Sequence, residues 1–127
     1  MTTEVKGLAF LLWSATPDRP ELCVTPLVHA LAALALDAEV EIHFAGPAVR
    51  LLVEGVADGL YPTPAREKSV LAFLEELRAA GAALYACSMA SAAYVAEGEK
   101  LIPGARSAGA TAFVARSLDP HWRTLSF

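Results

Sequence analysis

The 127-residue sequence predicts an α/β fold: a three-layer α/β/α domain over residues 1–127, with a mostly parallel sheet of four to five strands. Short apolar segments alternate along the chain with longer helical patterns, which is the order of βαβ units. The first of these segments, residues 6–13 (KGLAFLLW), is almost wholly apolar. Such a run is typical of a strand that is covered on both faces of a parallel sheet.

The first half of the chain continues with a helix, a strand and a second helix. Residues 20–37 are rich in Leu and Ala and predict a helix that is apolar on all sides, so that one side lies on the sheet and another contacts a second subunit. Residues 39–44 (EVEIHF) alternate polar and apolar and predict a strand with Glu41 and His43 on one face. Gly46 and Pro47 then begin a predicted helix that extends to about residue 57.

The second half repeats the alternation. Residues 67–80 predict an amphipathic helix that ends at Gly81, and residues 82–86 predict a third strand with Cys87 at its carboxyl end. The remaining predicted elements are a short helix over residues 88–96, a helix over residues 108–118 and a terminal strand over residues 122–127.

The high apolar content of the chain has two possible explanations, a membrane-spanning segment or a surface that binds other copies of the chain. Hydrophobic residues make up 55% of the chain and charged residues 19%, against about 25% charged in ordinary soluble domains. The longest charge-free apolar stretch, residues 22–36, contains Pro26 and His29 and is shorter than the roughly 20 residues of a membrane-spanning helix. We therefore expect a cytoplasmic homo-oligomer that does not enter a membrane.

Charge and cysteine content exclude two further classes. The net charge is −4 and the ten basic residues are scattered, whereas a nucleic-acid-binding protein has a basic patch. The two cysteines, Cys23 and Cys87, lie far apart in sequence and have no neighbouring cysteine or histidine pair of the kind a metal site needs. A structural disulfide is rare in a reducing cytosol. We expect no metal site and at least one free thiol.

Cys87 is the candidate for chemistry. Ligands of parallel sheets bind beyond the carboxyl ends of the strands, where residues 14–19, 45–46 and 87–91 are predicted to converge. A cysteine that leads into a helix meets free N–H groups and the positive end of the helix dipole, both of which favour the nucleophilic thiolate. The alternative is structural, because cysteine is often a small buried hydrophobe.

Other residues of this edge complete the predicted site. The predicted binding residues are Ser88 and Met89 next to Cys87, Ser14 after the first strand, Arg19 in the following loop and His43 near the end of the second strand. Arg19 and His43 are the candidates for stabilising a thiolate. Each has an ordinary alternative, a solvated loop charge for Arg19 and a buried core or interface residue for His43.

Cys23 is a possible second thiol. It lies near the start of the first helix and would approach Cys87 if the first and third strands were neighbours in the sheet. A disulfide requires Cα atoms within about 7 Å, which the sequence does not establish. The alternative is a small buried residue on an apolar helix.

Three segments resemble a known family. Residues 84–89 (LYACSM), 101–105 (LIPGA) and 109–113 (GATAF) resemble the DsrE/DsrF-like sulfur-relay family. The resemblance implies small α/β subunits that assemble into trimers or hexamers. It also implies that Cys87 carries a persulfide and passes sulfur from a donor protein to an acceptor protein, as a persulfide-type sulfurtransferase without a cofactor.

Two alternatives remain at this stage. One is a non-catalytic oligomeric subunit of the same fold, in which Cys87 is buried. The other is a flavodoxin-like module that binds a small ligand near residues 14–16 (SAT). That segment lacks the glycines of a phosphate-binding loop, and Pro17 removes one N–H donor.

Overall fold

The computed structural model describes residues 4–127. It contains strands β1 to β5, helices α1 to α4 and three 3₁₀ segments. The strands are Gly7–Leu12, Glu39–Phe44, Ala83–Cys87, Arg106–Ala108 and Trp122–Ser126 in chain order. The helices are Val24–Ala35, Val70–Ala79, Ser88–Tyr94 and Ala110–Leu118, and the 3₁₀ segments are Pro20–Cys23, Gly46–Leu52 and Ala57–Gly59.

The five strands form one sheet in the order β4-β3-β2-β1-β5, and all neighbouring pairs are parallel. The α/β prediction is confirmed, with a wholly parallel sheet. From β1 to β4 each crossover moves one strand in the same direction, so right-handed connections place α1, α2 and α3 on one face. The last connection returns across the sheet from β4 to β5, and it places α4 on the opposite face. We call these the main face and the α4 face.

The main face holds the apolar core. Alternate residues of the three central strands point into it and are almost completely buried, together with leucines of α1 and α2. The largest of them are Phe10, Leu12, Leu27, Ile42, Phe44, Leu74, Leu77 and Leu84. This face therefore supplies most of the apolar burial that stabilises the domain.

The α4 face is covered more thinly and contains polar groups. None of the residues of α4 is fully buried. At one edge, the indole of Trp122 lies across β1 at Gly7, where a β-carbon would come within 2.7 Å of three ring carbons. Gly7 is therefore needed for close approach of the indole, and no larger residue fits there without displacing Trp122.

The predicted helix over residues 46–57 is wrong beyond its first part. A 3₁₀ segment ends at Leu52, and Val53 is extended and forms an antiparallel bridge with Leu101. The Ile102 N–H donates to the Leu52 carbonyl at 2.8 Å, which uses a backbone group that a longer helix would need. Pairing with a segment 50 residues away overrides the local helical pattern.

A charged contact ties this 3₁₀ segment to the chain after α3. The Arg50 guanidinium donates to both carboxylate oxygens of Glu99, at 2.8 and 3.0 Å, and to the Tyr94 carbonyl at 2.9 Å. The hydrogen bond from Arg50, followed by one from the Ala96 N–H, lowers the pKa of Glu99 to about 2. The end of α3 is thereby fixed against the second crossover.

The fourth strand was not predicted. Residues 106–108 form β4 beside β3, with Ala108 paired to Cys87, and α4 begins only at Ala110 rather than at 108. Three residues are too few to show an alternating pattern, and the strand exists because the edge of β3 offers unpaired backbone groups. It brings Ala108 and Gly109 next to Cys87.

The first predicted helix also differs from the structure. A 3₁₀ turn ends at Cys23, α1 occupies Val24–Ala35, and Asp37 has a positive φ of 66° that ends the helical segment. The helix is not buried on all sides within one chain, because Val28 is 44% exposed and Leu36, just after it, is 82% exposed. None of the helices in residues 4–127 has both the length and the apolar character that crossing a membrane requires.

Candidate active site

Cys87 lies at the carboxyl end of β3, on the α4 face. It is the last residue of the strand and caps α3 with an extended backbone, φ −60° and ψ 127°. In the register between β2 and β3, His43 is level with Tyr85, so Cys87, two residues further along, shares their face of the sheet. The thiol is partly exposed.

A small cavity of about 220 Å³ adjoins the thiol. Its walls are mainly aliphatic and aromatic, and its lining residues are Leu11, His43, Ala45, Cys87, Ala108, Gly109, Ala110, Phe113 and Val114. At about 30 Å³ per water molecule this is room for a handful of atoms, below the roughly 300–1,000 Å³ of ordinary ligand pockets. The cavity fits the end of a side chain better than a nucleotide or a flavin.

The structure brings together two of the residues singled out from sequence, Cys87 and His43. The His43 side chain is only 6% exposed. Its ring stacks on Tyr85, with centroids 4.9 Å apart, and meets the edge of Phe113 at 5.3 Å. Helix α4 therefore closes over the imidazole and forms one wall of the Cys87 cavity.

Hydrogen bonds through Glu41 connect this histidine to Arg116 on α4. His43 Nε2 lies 3.1 Å from Glu41 Oε1, and the other carboxylate oxygen of Glu41 accepts from Arg116 Nε at 3.0 Å and from Arg116 Nη2. The Arg116 guanidinium also lies over the ring of Trp122, 3.8 Å from its centroid. We call His43, Glu41 and Arg116 the charge relay of the α4 face.

Burial and charge set the ionisation of the relay. Burial lowers the pKa of His43, against the opposing effect of the Glu41 carboxylate, so the imidazole is neutral at neutral pH. Burial by itself would raise the pKa of Glu41, but the hydrogen bonds from Arg116 and His43 outweigh it and lower that pKa below its usual range. The hydrogen bond to Glu41 raises the pKa of Arg116, which stays charged.

The other predicted binding residues lie outside the cavity. Arg19 is exposed and pairs with Glu21 at 3.3 Å, as its ordinary alternative suggested. Ser14 lines a separate depression near Phe127. Ser88 is exposed next to the cavity mouth, and Met89 is 83% exposed. Of the three predicted segments, residues 45–46 and 87–91 contribute to the cavity and residues 14–19 do not.

Cys23 and Cys87 lie on opposite faces of the sheet, so the predicted approach of the two thiols does not occur. The condition was that the first and third strands be neighbours, and β2 lies between them. Cys23 is fully buried in the core of the main face, whereas Cys87 is on the α4 face. Burial, followed by the charge of Glu21, raises the pKa of Cys23 to about 12. The prediction that Cys23 is a resolving thiol for Cys87 is therefore wrong. Cys23 packs as a small core residue.

Sequence reasoning missed most of the cavity wall and two members of the relay. Glu41 and His43 were expected on one face of β2, which was the available signal for their contact. Arg116 is 75 positions from Glu41. Gly109, Ala110 and Phe113 belong to the 109–113 segment that carried the family resemblance, but that segment did not indicate a contact with Cys87. Only the return of α4 across the sheet brings Phe113 to the Cys87 cavity and Arg116 to Glu41.

A larger depression lies elsewhere. It has a volume of about 590 Å³, is open to solvent and is lined by the loops around Glu21, Tyr61 and Arg66. It contains no thiol and no histidine, so the smaller and more enclosed cavity at Cys87 is the better candidate for chemistry. Within residues 4–127, no three His, Cys, Asp or Glu side chains are grouped in a way that would hold a metal ion.

Comparison with known families agrees with this arrangement. The model of the DsrE/DsrF-like family matches residues 8–127. The chain belongs to the DsrE/DsrF-like family. Because the match spans nearly the whole chain, the resemblance seen in three short segments is confirmed over all five strands.

Two solved structures share the fold of this protein over nearly its whole length. The crystal structure of the ychN protein from E. coli has a TM-score of 0.77 at 16% identity, covering 97% of this chain and 100% of that one. The structure of MTH1491 from Methanobacterium thermoautotrophicum, a protein of unknown function, has a TM-score of 0.69 at 16% identity, covering 96% and 99%. At this identity they show the fold alone. A search of curated protein sequences found no match.

The burial of the two cysteines predicts their reactivity. In the native protein we expect the thiol reagent DTNB to modify one cysteine, Cys87, because Cys23 is enclosed in the core and stays protonated. In denaturant both should react. Cys87→Ala should lower the native count to zero and Cys23→Ala should leave it at one. Rapid reaction of two thiols in the native state would contradict this assignment.

The neutral, buried His43 predicts acid destabilisation. Its pKa in the folded state is below the ordinary 6.5, so the unfolded chain takes up a proton first as the pH falls. The free energy of unfolding should therefore decrease from about pH 7 to pH 5, by up to about 1.4 kcal/mol per pH unit. The lowered pKa of Glu41 changes the free energy of unfolding only below about pH 4.5, the ordinary pKa of a glutamate.

Urea unfolding of the wild type, His43→Gln and the exposed-histidine control His29→Gln measures this slope. The slope should be smaller in His43→Gln and unchanged in His29→Gln. The groups that face His43 are Glu41 on its own strand, Tyr85 and Cys87 on β3, and Arg116 on α4. Equal slopes in all three proteins would show that His43 does not stay neutral in the folded state.

Proposed function

We propose that this protein is a small sulfur carrier, which takes persulfide sulfur on Cys87 from a donor protein and passes it to an acceptor protein in the cytoplasm. Membership of the DsrE/DsrF-like family supports this type of function. The observation that carries it is the position of the thiol, partly exposed at a strand end and opening on a small enclosed cavity with a buried histidine in its wall.

The chemistry is thiol–persulfide exchange. The Cys87 thiolate attacks the outer sulfur of a donor R–S–SH, a Cys87–sulfur bond forms, and the S–S bond of the donor breaks. The electron pair of that bond leaves on the donor as R–S⁻, and Cys87–S–SH remains. An acceptor thiolate then attacks the same outer sulfur and releases the Cys87 thiolate. Two electrons move within each exchange, so neither an external oxidant nor a cofactor is needed.

The cavity suits a bound sulfur. Its volume of about 220 Å³ accommodates one additional sulfur atom and the end of a partner's side chain. Sulfur is polarizable and interacts favourably with aromatic rings, which the cavity provides at Phe113. Walls of Leu, Ala and Val limit water around the persulfide and so limit its loss to side reactions.

Sulfur loading tests the proposal. The protein is incubated with inorganic polysulfide as donor, freed of excess reagent and measured by intact mass. We expect a gain of one sulfur atom in the wild type and in the matched control Cys23→Ala, and none in Cys87→Ala. Addition of dithiothreitol, a small dithiol acceptor, should remove the gained sulfur, because it attacks the outer sulfur of the persulfide.

A wild type that gains no sulfur, with Cys87 alkylated more slowly than a free cysteine, would contradict the proposal. That result would favour the alternative of a non-catalytic oligomeric subunit of the same fold. The flavodoxin-like alternative places its ligand near residues 14–16, where Ser14 and Ala15 line a separate depression of about 370 Å³. That segment lacks the glycines with which a phosphate-binding loop surrounds its ligand.

We further propose that the carrier acts as a homo-oligomer, a trimer or hexamer, formed through α1 and the surfaces next to it. Val28 on α1 and Leu36 after it are exposed apolar side chains of the kind that subunit contacts cover. Light scattering should give a mass several times 13.4 kDa. Leu36→Glu should reduce that mass, while Leu118→Glu on α4 serves as the control. A wild-type mass of one chain would contradict the proposal.

A further inference from the structure

We propose that His43 accepts the proton of the Cys87 thiol, and that Glu41 and Arg116 hold the imidazole in the tautomer that can accept it. This inference rests on the proposed function, in which Cys87 attacks as a thiolate. It adds to that function the group that removes the proton and the two residues that orient this group.

His43 lies between two cavities. Of the residues that the structure describes, His43 alone lines both the Cys87 cavity and a second cavity of about 280 Å³ formed with Glu41, Tyr85 and Arg116. Adjacent strands are about 4.8 Å apart and two residues along a strand span about 6.6 Å. The two Cα atoms are therefore about 8 Å apart on one face, a separation that two side chains bridge directly or through one water or sulfur atom.

The hydrogen bonds fix the tautomer. Glu41 is ionised and paired with Arg116, so its oxygens only accept hydrogen bonds. His43 Nε2, 3.1 Å from Glu41 Oε1, must therefore be the donor and carry the ring proton. In a neutral imidazole this leaves Nδ1 with a free lone pair.

The free nitrogen is available to a ligand. Nδ1 of His43 has no hydrogen-bond partner within residues 4–127. The fully enclosed side-chain polar atoms without a partner in this part of the chain are Ser91 Oγ and Trp122 Nε1. His43 Nδ1 is not one of them, so this atom is not fully enclosed, and the residue lines the Cys87 cavity. The side chain is 94% buried, and an unpaired polar atom on such a side chain calls for an explanation, of which a catalytic role is one.

The three groups form a recurrent pattern. An activated nucleophile generally has a neighbouring base, and a third group orients that base. Here Cys87 is the nucleophile, His43 the base and Glu41 the orienting carboxylate. Arg116 on α4 balances the negative charge of Glu41 and so keeps this carboxylate ionised under the helix. Burial keeps the imidazole neutral and thus able to accept a proton at neutral pH.

The proposed step conserves the thiol proton. The S–H bond of Cys87 breaks, its proton moves to His43 Nδ1, and the electron pair stays on Sγ. Sγ attacks the outer sulfur of the donor persulfide, and the donor leaves as a thiolate. That thiolate takes the proton from the imidazolium, which restores neutral His43. The acceptor thiol follows the same steps in the second transfer.

Alkylation with iodoacetamide tests the relay without any sulfur donor. The rate at Cys87 is measured by intact mass from pH 5 to pH 10 in the wild type, His43→Gln, Glu41→Gln and the control His29→Gln. We expect His43→Gln to react at least about tenfold more slowly at pH 7, since a general base typically contributes about 10²–10⁴-fold. The rate should recover at high pH, where hydroxide removes the thiol proton. His29→Gln should follow the wild type.

A structural role would give a different result. If His43 only supported the cavity wall, the rate in His43→Gln would fall by the same factor at every pH. Nitrogen-15 NMR of the wild type gives a second measurement that needs no variant. At neutral pH, Nε2 of His43 should be protonated and Nδ1 unprotonated, and in Glu41→Gln this preference should weaken. A protonated Nδ1 in the wild type would overturn the proposal.

The two proposals fail separately. If the wild type gains a sulfur atom but His43→Gln is alkylated at the wild-type rate across the pH range, Cys87 is a carrier and the relay is overturned. If alkylation depends on His43 at neutral pH but no sulfur is gained, the relay stands and the sulfur-carrier function is overturned.

Discussion

The ion pair between Glu41 and Arg116 is the contact on which the α4 face depends. Helix α4 buries none of its residues fully, so apolar packing alone holds it weakly against the sheet. A carboxylate in the middle of β2 that accepts two hydrogen bonds from one guanidinium gives this helix a fixed position. That position decides where Phe113 lies, and so closes the cavity over Cys87. The site exists because the helix is held by charge and leaves space beneath it.

The two faces of the sheet differ in packing and in chemical character. The main face is a close-packed apolar core that encloses Cys23, and this burial raises the pKa of its thiol to about 12. The α4 face is thin, polar and aromatic, and it contains Cys87 and the relay. Chain topology separates the two thiols, because the crossovers from β1 to β4 and the return to β5 lie on opposite faces. One chain therefore encloses one cysteine in its core and leaves the other partly exposed at a strand end.

Local pattern predicted the strands of the centre and the amphipathic helix well, and it failed where partners are distant in sequence. The residues 46–57 have a helical pattern, but Val53 pairs with Leu101 and the helix stops. The three residues of β4 have no pattern of their own and form a strand only because β3 has an open edge. For the site, the alternation of β2 placed Glu41 and His43 on one face, while nothing in the sequence pointed to Arg116.

The sequence by itself determined the α/β class, the family and the cysteine at the end of the third strand. These follow from hydrophobic periodicity and from short motifs, which are properties of neighbouring residues. The tertiary structure decided which thiol is enclosed, that β2 separates β1 from β3, and that His43 and Cys87 line one cavity beneath α4. These depend on strand order and on a crossover that spans the whole sheet. Local periodicity specifies which face a residue occupies but not which distant segment covers that face.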